Sequence, residues 1–116
     1  IVIPKQHYGS DVLKMDNAML FDFVIAAKKV SEVLLAYFED VGRVGLIMEG
    51  TGIDHAHIKL FPMHGTAHLK TGQWKQHPSK IKTCYPLYEG YFASNDGPKA
   101  DDLELEDLAK SLLAIQ

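Results

Sequence analysis

The chain has 116 residues, 47% of them hydrophobic, with 12 basic and 15 acidic side chains and a net charge of -3. That length suits one domain with a modest core, and that charge excludes a global field drawing the chain onto nucleic acid. The single Cys84 excludes an internal disulfide and fits a reducing compartment.

Residues 1–3 read as the end of a strand, stopped by Pro4, and residues 5–10 as a turn. Asp16 is the expected N-cap of a helix over 17–38. Its apolar stripe is Leu20, Val24, Ala27, Val30, Leu34 and Phe38, which should face the core. Gly42 ends the helical region. Residues 44–48 form a short apolar strand, Gly50-Thr51-Gly52 a turn, and 53–63 a second strand, together an antiparallel hairpin.

Residues 64–87 hold no clear period and no acid, but four lysines and three histidines. They are expected to form a long loop with a short helix. Another strand is expected at 90–93, then turn chemistry at Asn95-Asp96-Gly97-Pro98. Asp101 and Glu104 make a capping-box-like start to a final helix, with Leu105, Leu108, Leu112 and Leu113 inward. The order is α+β with a mainly antiparallel sheet. No segment has the roughly 18 uninterrupted apolar residues of a membrane span. No signal-peptide pattern opens the chain, so a soluble, cytoplasmic protein is expected.

The informative segment is 55–62, His-Ala-His-Ile-Lys-Leu-Phe-Pro. On a strand, its period-two alternation puts His55, His57 and Lys59 on one face, and Ala56, Ile58 and Leu60 in the core. Two imidazoles and an ammonium make a poor core and a good grip on a phosphate. A neutral imidazole is a competent nucleophile near pH 7 when its other nitrogen donates a proton to a fixed acceptor, often a backbone carbonyl. Lys59 would stabilise phosphoryl charge and disfavour a charged His57 beside it. Gly50, Thr51 and Gly52 could offer backbone amides and a hydroxyl to an anion.

These residues resemble the histidine triad (HIT) nucleotide hydrolases and transferases. The frame His-φ-His-φ-His-φ-φ, often followed by Pro, reads here His55-Ala56-His57-Ile58-Lys59-Leu60-Phe61-Pro62. The opening Ile1-Val2-Ile3-Pro4-Lys5-Gln6-His7 looks like the family's first motif, and one helix and one strand separate the two. The resemblance covers residues 1 to about 63 well and is less specific beyond.

It implies a single HIT-like domain over 1–116, with about five strands, one long central helix and a C-terminal helix. The family's N-terminal strands, which carry much of its nucleoside pocket, fall upstream of Ile1. It implies His57 as the nucleophile that becomes nucleotidylated, His55 as organiser of the site and His7 as its neighbour. Lys59 stands where the third histidine belongs, and the loop before the triad lacks the usual Asn and Gln, with Thr51 as substitute. A homodimer is implied, with a nucleotide or nucleotide conjugate as substrate. No cofactor or catalytic metal is required by this chemistry, though a divalent cation could accompany a polyphosphate. A lysine is a weak proton donor near neutral pH and a good clamp, so anhydrides are expected over phosphoramidates.

Two rival readings remain open from the sequence. One is a non-catalytic nucleotide-binding protein, motivated by the missing third histidine. The other is a metal site made from His55, His57 and a loop histidine, His64 or His68. His64 directly follows the strand and is a further candidate for reaching phosphate. Trp74, between Lys70 and Lys75, is a candidate for stacking on a base or for anchoring the loop.

Overall fold

The computed structural model describes residues 1–78, 80, 82–83, 85–88 and 98–115. Their order is a 3-10 turn Val12–Lys14, helix α1 Asn17–Tyr37, strand β1 Val44–Ile47, strand β2 Lys59–Pro62, a 3-10 turn Ala67–Thr71 and helix α2 Asp102–Leu113. The architecture is α+β with an antiparallel two-stranded sheet.

Helix α1 begins where the sequence puts its cap: the Asp16 carboxylate accepts the Met19 N–H at 2.9 Å, satisfying one of the orphan donors of the first turn. At the other end the Lys70 ammonium donates to the carbonyls of Leu35, Phe38 and Glu39 at 3.1–3.2 Å. A cation there meets both the free acceptors and the negative end of the helix dipole. The packed stripe differs from the expected one. Phe23 and Ala27 are buried and Leu20 packs against them, while Val24 and Val30 are exposed. A 21-residue helix presents several apolar rows, and the row that meets the sheet is chosen by its crossing angle, which spacing alone does not fix.

The sheet is smaller than the expected five strands. Pairing runs Val44–Pro62, Gly45–Phe61, Leu46–Leu60 and Ile47–Lys59. Residues 53–57 do not join the ladder. The His55 N–H turns back onto the Ile53 carbonyl at 2.8 Å, which kinks the chain just before the histidines. Beyond the kink, Ile58 exchanges two hydrogen bonds of 2.9 Å with Val2, and Ala56 N–H reaches the Tyr8 carbonyl at 2.8 Å. Pro4 lies between Val2 and Tyr8 and has no N–H, so this edge carries an isolated bridge rather than a strand. The strand expected at 90–93 and the turn at 95–97 lie outside the described residues, as does Cys84.

The core is Val12, Phe23, Ala27, Ala56 and Ile58, with Val2, Tyr8, Met15, Leu20, Met48 and Leu60 around it. Ala56 and Ile58 are fully buried, so the alternation in 55–60 does choose the faces as its pattern requires. After β2 the chain is held by Thr66, whose Oγ1 accepts the buried Gly42 N–H at 2.9 Å. A Cβ on Gly42 would lie 2.0 Å from the Thr66 carbonyl oxygen, so the two backbones approach as only glycine permits. Helix α2 is capped by Asp101, which accepts from Leu103 N–H and Glu104 N–H. Its leucines do not all turn inward. Leu108 and Leu112 are half-buried, while Leu105 and Leu113 stay exposed.

No described helix is long and apolar enough to cross a membrane.

Candidate functional site

The histidine row opens onto a cavity of about 530 Å³ lined by Glu49, Gly52, His55, His57 and Lys59, with Ile1, Ile3 and Ile53 as apolar walls. Buried Ala56 and Ile58 beneath it fix the row from the core side.

His57 is held at one nitrogen. Its Nδ1–H donates to the His55 carbonyl oxygen at 2.9 Å. A backbone carbonyl can only accept, so Nδ1 carries the proton and the neutral ring keeps its lone pair on Nε2. The His57 side chain is 13% exposed, enough for a ligand to reach that nitrogen. His55 is itself fixed twice. Its Nε2–H donates to the Pro4 carbonyl at 3.2 Å, which leaves Nδ1 to accept from His7 Nδ1–H at 3.3 Å. His7 therefore touches the site through His55. It is exposed and does not line the cavity.

Lys59 lines the cavity, but its ammonium is not free. It makes a close ion pair with Glu49 Oε1. The same oxygen lies 3.7 Å from His57 Nε2, too far for a hydrogen bond and near enough for a strong field. The second carboxylate oxygen of Glu49 is buried and has no hydrogen-bond partner among the described residues. The hydrogen bond from Lys59 holds the Glu49 carboxyl below its usual range, so it is ionised at neutral pH. The expectation that Lys59 presents an unopposed charge to His57 is corrected on this ground.

Glu49 went unread in the sequence. The signal was there: two residues past the Ile47–Lys59 pair, the same antiparallel register sets Glu49 opposite His57 on one face. Nothing in the strand pattern at 1–3 or 53–63 marks Ile1, Ile3 and Ile53 as cavity walls, because strand periodicity does not say which face meets a cavity.

The other expected residues divide. Gly52 lines the cavity, whereas Thr51 and Gly50 do not. Thr51 is exposed, and Gly50, at φ +60°, lies against the Ser10 carbonyl. His64 is turned to Asp40, with Nδ1 3.0 Å from Oδ2, and its ring meets Phe38 edge-on. The Gly65 N–H, and after it His64, keep the Asp40 carboxyl below its usual range. Trp74 is 78% exposed under the Arg43 guanidinium, 5.2 Å from the ring centre, and neither anchors the core nor lines the cavity. Among the described residues no group of three or more His, Cys, Asp or Glu side chains is placed to hold a metal ion.

No protein-family model matches this chain, and neither does any curated protein or any solved structure. The functional reading therefore rests on the cavity and its chemistry.

Proposed function

We propose that this chain is a nucleotidyl hydrolase or transferase of the histidine triad type, acting on nucleotide phosphoanhydrides or related conjugates through His57. One observation carries the reading: Nδ1 of His57 is committed to a backbone carbonyl, which leaves Nε2 as an unprotonated nucleophile at the wall of a cavity. Nε2 attacks the phosphorus, a P–N bond forms, and the P–O bond to the leaving group breaks with its electron pair. Water then attacks the same phosphorus, the P–N bond breaks, and the water proton is released. The cavity volume and the isoleucine walls suit a nucleoside beside the phosphate.

The same reading carries a HIT-like domain and a homodimer. Among the described residues β1 pairs only with β2, and a strand of a second copy added along Val44–Ile47 would extend the sheet across the dimer.

A non-catalytic nucleotide-binding role is the second reading. It is favoured by the Glu49 carboxylate, which stands 3.7 Å from Nε2 in the path of a phosphorus atom but leaves the isoleucine walls open to a nucleoside. Rapid alkaline quenching after mixing with nucleotide conjugates labelled at the α-phosphorus separates the two. A base-stable, acid-labile label on wild type that is absent from His57→Ala supports transfer. Bound nucleotide without any covalent label supports the second reading.

A further inference from the structure

The Lys59 ammonium, beside His57 Nε2, makes a place for an oxyanion, and one oxyanion is already in it. Glu49 Oε1 sits against the Lys59 ammonium and 3.7 Å from His57 Nε2. A phosphoryl oxygen held by Lys59 while its phosphorus meets Nε2 would need that same space. The side chains of Glu49, His57 and Lys59 are 8%, 13% and 16% exposed, so bulk water does little to dilute their mutual fields.

We propose that Glu49 is an internal occupant of the anion subsite, and that a phosphate-bearing ligand binds by exchanging places with its carboxylate on Lys59. The inference rests on the reading of Lys59 as a phosphate-binding residue and adds how access to it is regulated.

The state of the carboxylate supports exchange over a permanent strut. A carboxylate built in for structure has both oxygens satisfied, because a buried unpartnered oxygen is costly. Glu49 has one oxygen on Lys59 and the other buried with no hydrogen-bond partner among the described residues. Lys59 is its one side-chain hydrogen-bond partner among them, so giving up Lys59 and turning toward water would recover hydration for both oxygens. Glu49 lies beyond the last paired residue of β1, and Gly50 follows it in a left-handed conformation. Among the lining side chains only Glu49 and Lys59 carry a fixed charge, so with the pair closed these side chains have no net fixed charge. With Glu49 withdrawn they have one uncompensated cation, which is what a phosphoryl group requires.

Exchange makes a prediction that other roles for Glu49 do not. Removing a ligand from a cation site weakens phosphate binding, and removing a carboxylate that only repels an anion strengthens it whether or not Lys59 is present. Removing an occupant of the Lys59 ammonium strengthens it only while Lys59 is there.

The test is binding of pyrophosphate, without divalent cation, to the full chain by titration calorimetry. Wild type, Glu49→Gln, Lys59→Met and the double variant are compared, each checked for folding by circular dichroism. Glu49→Gln is expected to bind about ten- to a hundred-fold tighter than wild type, the order of one charged hydrogen bond no longer in competition. The gain is expected to vanish in the double variant. Glu49→Asp, one methylene shorter, keeps the charge but reaches Lys59 less well, and should fall between the two. It serves as the measure if Glu49→Gln does not fold. Equal or weaker binding by Glu49→Gln overturns the proposal. So does wild-type binding that depends on a divalent cation and is lost in Glu49→Gln, which would make the carboxylate a cation ligand. Pyrophosphate binding needs no transfer chemistry. Tighter binding with no label on His57 would keep the exchange and remove the nucleotidyl transfer, and a label on His57 without tighter binding would do the reverse.

Discussion

Nδ1 of His57 donates to the carbonyl oxygen of His55 at 2.9 Å, so the backbone of one histidine sets the tautomer of the next. An imidazole free to exchange tautomers would offer its lone pair on either nitrogen. Here the residue two positions earlier in the chain settles it.

Nitrogen-15 spectra of the ring nitrogens should therefore show His57 as the Nδ1–H form at a pH where the ring is neutral. A dominant Nε2–H form would remove the nucleophile from the cavity side and end the proposed chemistry.

The Glu49–Lys59 pair gives an acid-side dependence with a defined sign. The folded-state carboxyl is depressed below its ordinary value of 4.5, so the folded state favours the ionised form. Its contribution to stability is fully present above that value and is lost as pH falls through the depressed one. Lys59, His57 and His55 share its cavity. Thermal midpoints measured from pH 6 downward should fall more steeply below about pH 4.5 in wild type than in Glu49→Gln. Parallel curves would mean that the pair adds nothing to folding. Asp40 is depressed too, but it is present in both proteins and cancels in the comparison.

Leaving-group choice should respond to the third triad position. A lysine stabilises charge and gives up its proton reluctantly, whereas a histidine donates near neutral pH. Lys59→His is expected to raise turnover of nucleoside phosphoramidates relative to dinucleoside polyphosphates by about tenfold or more. An unchanged ratio of kcat/KM would take Lys59 out of that choice.

Two substitutions test what holds the site in place. Ile58 is fully buried next to His57, and Ile58→Ala should cost about 2–5 kcal/mol in urea unfolding. Gly42→Ala drives a methyl toward the Thr66 carbonyl and should cost about 1–3 kcal/mol. A neutral Gly42→Ala would mean that the segment after β2 shifts without resistance.

The sequence revealed the site's composition better than its electrostatics. Alternation at 55–60 separates buried Ala56 and Ile58 from His57 and Lys59, because a strand has two faces and only one can be apolar. Caps were legible for the same local reason: Asp16 and Asp101 act within three residues of themselves. What escaped depends on partners far apart in the chain. Glu49 meets Lys59 only once the hairpin register is set, and the buried row of α1 is chosen by how the helix crosses the sheet. The length of the second strand was overread because apolar content says nothing of the turn at 53–55, where the backbone bonds to itself.

The register between β1 and β2 acts as a ruler. With Ile47 across from Lys59, the count of residues from that pair decides which side chains share a side of the hairpin. One residue inserted between Ile47 and Glu49, or between His57 and Lys59, would turn the acid or the imidazole to the other side, whereas an insertion between positions 50 and 54 falls in the unpaired link and can bulge out. Evolution at 47–49 and 57–59 should therefore proceed by exchange of residues rather than by change of length.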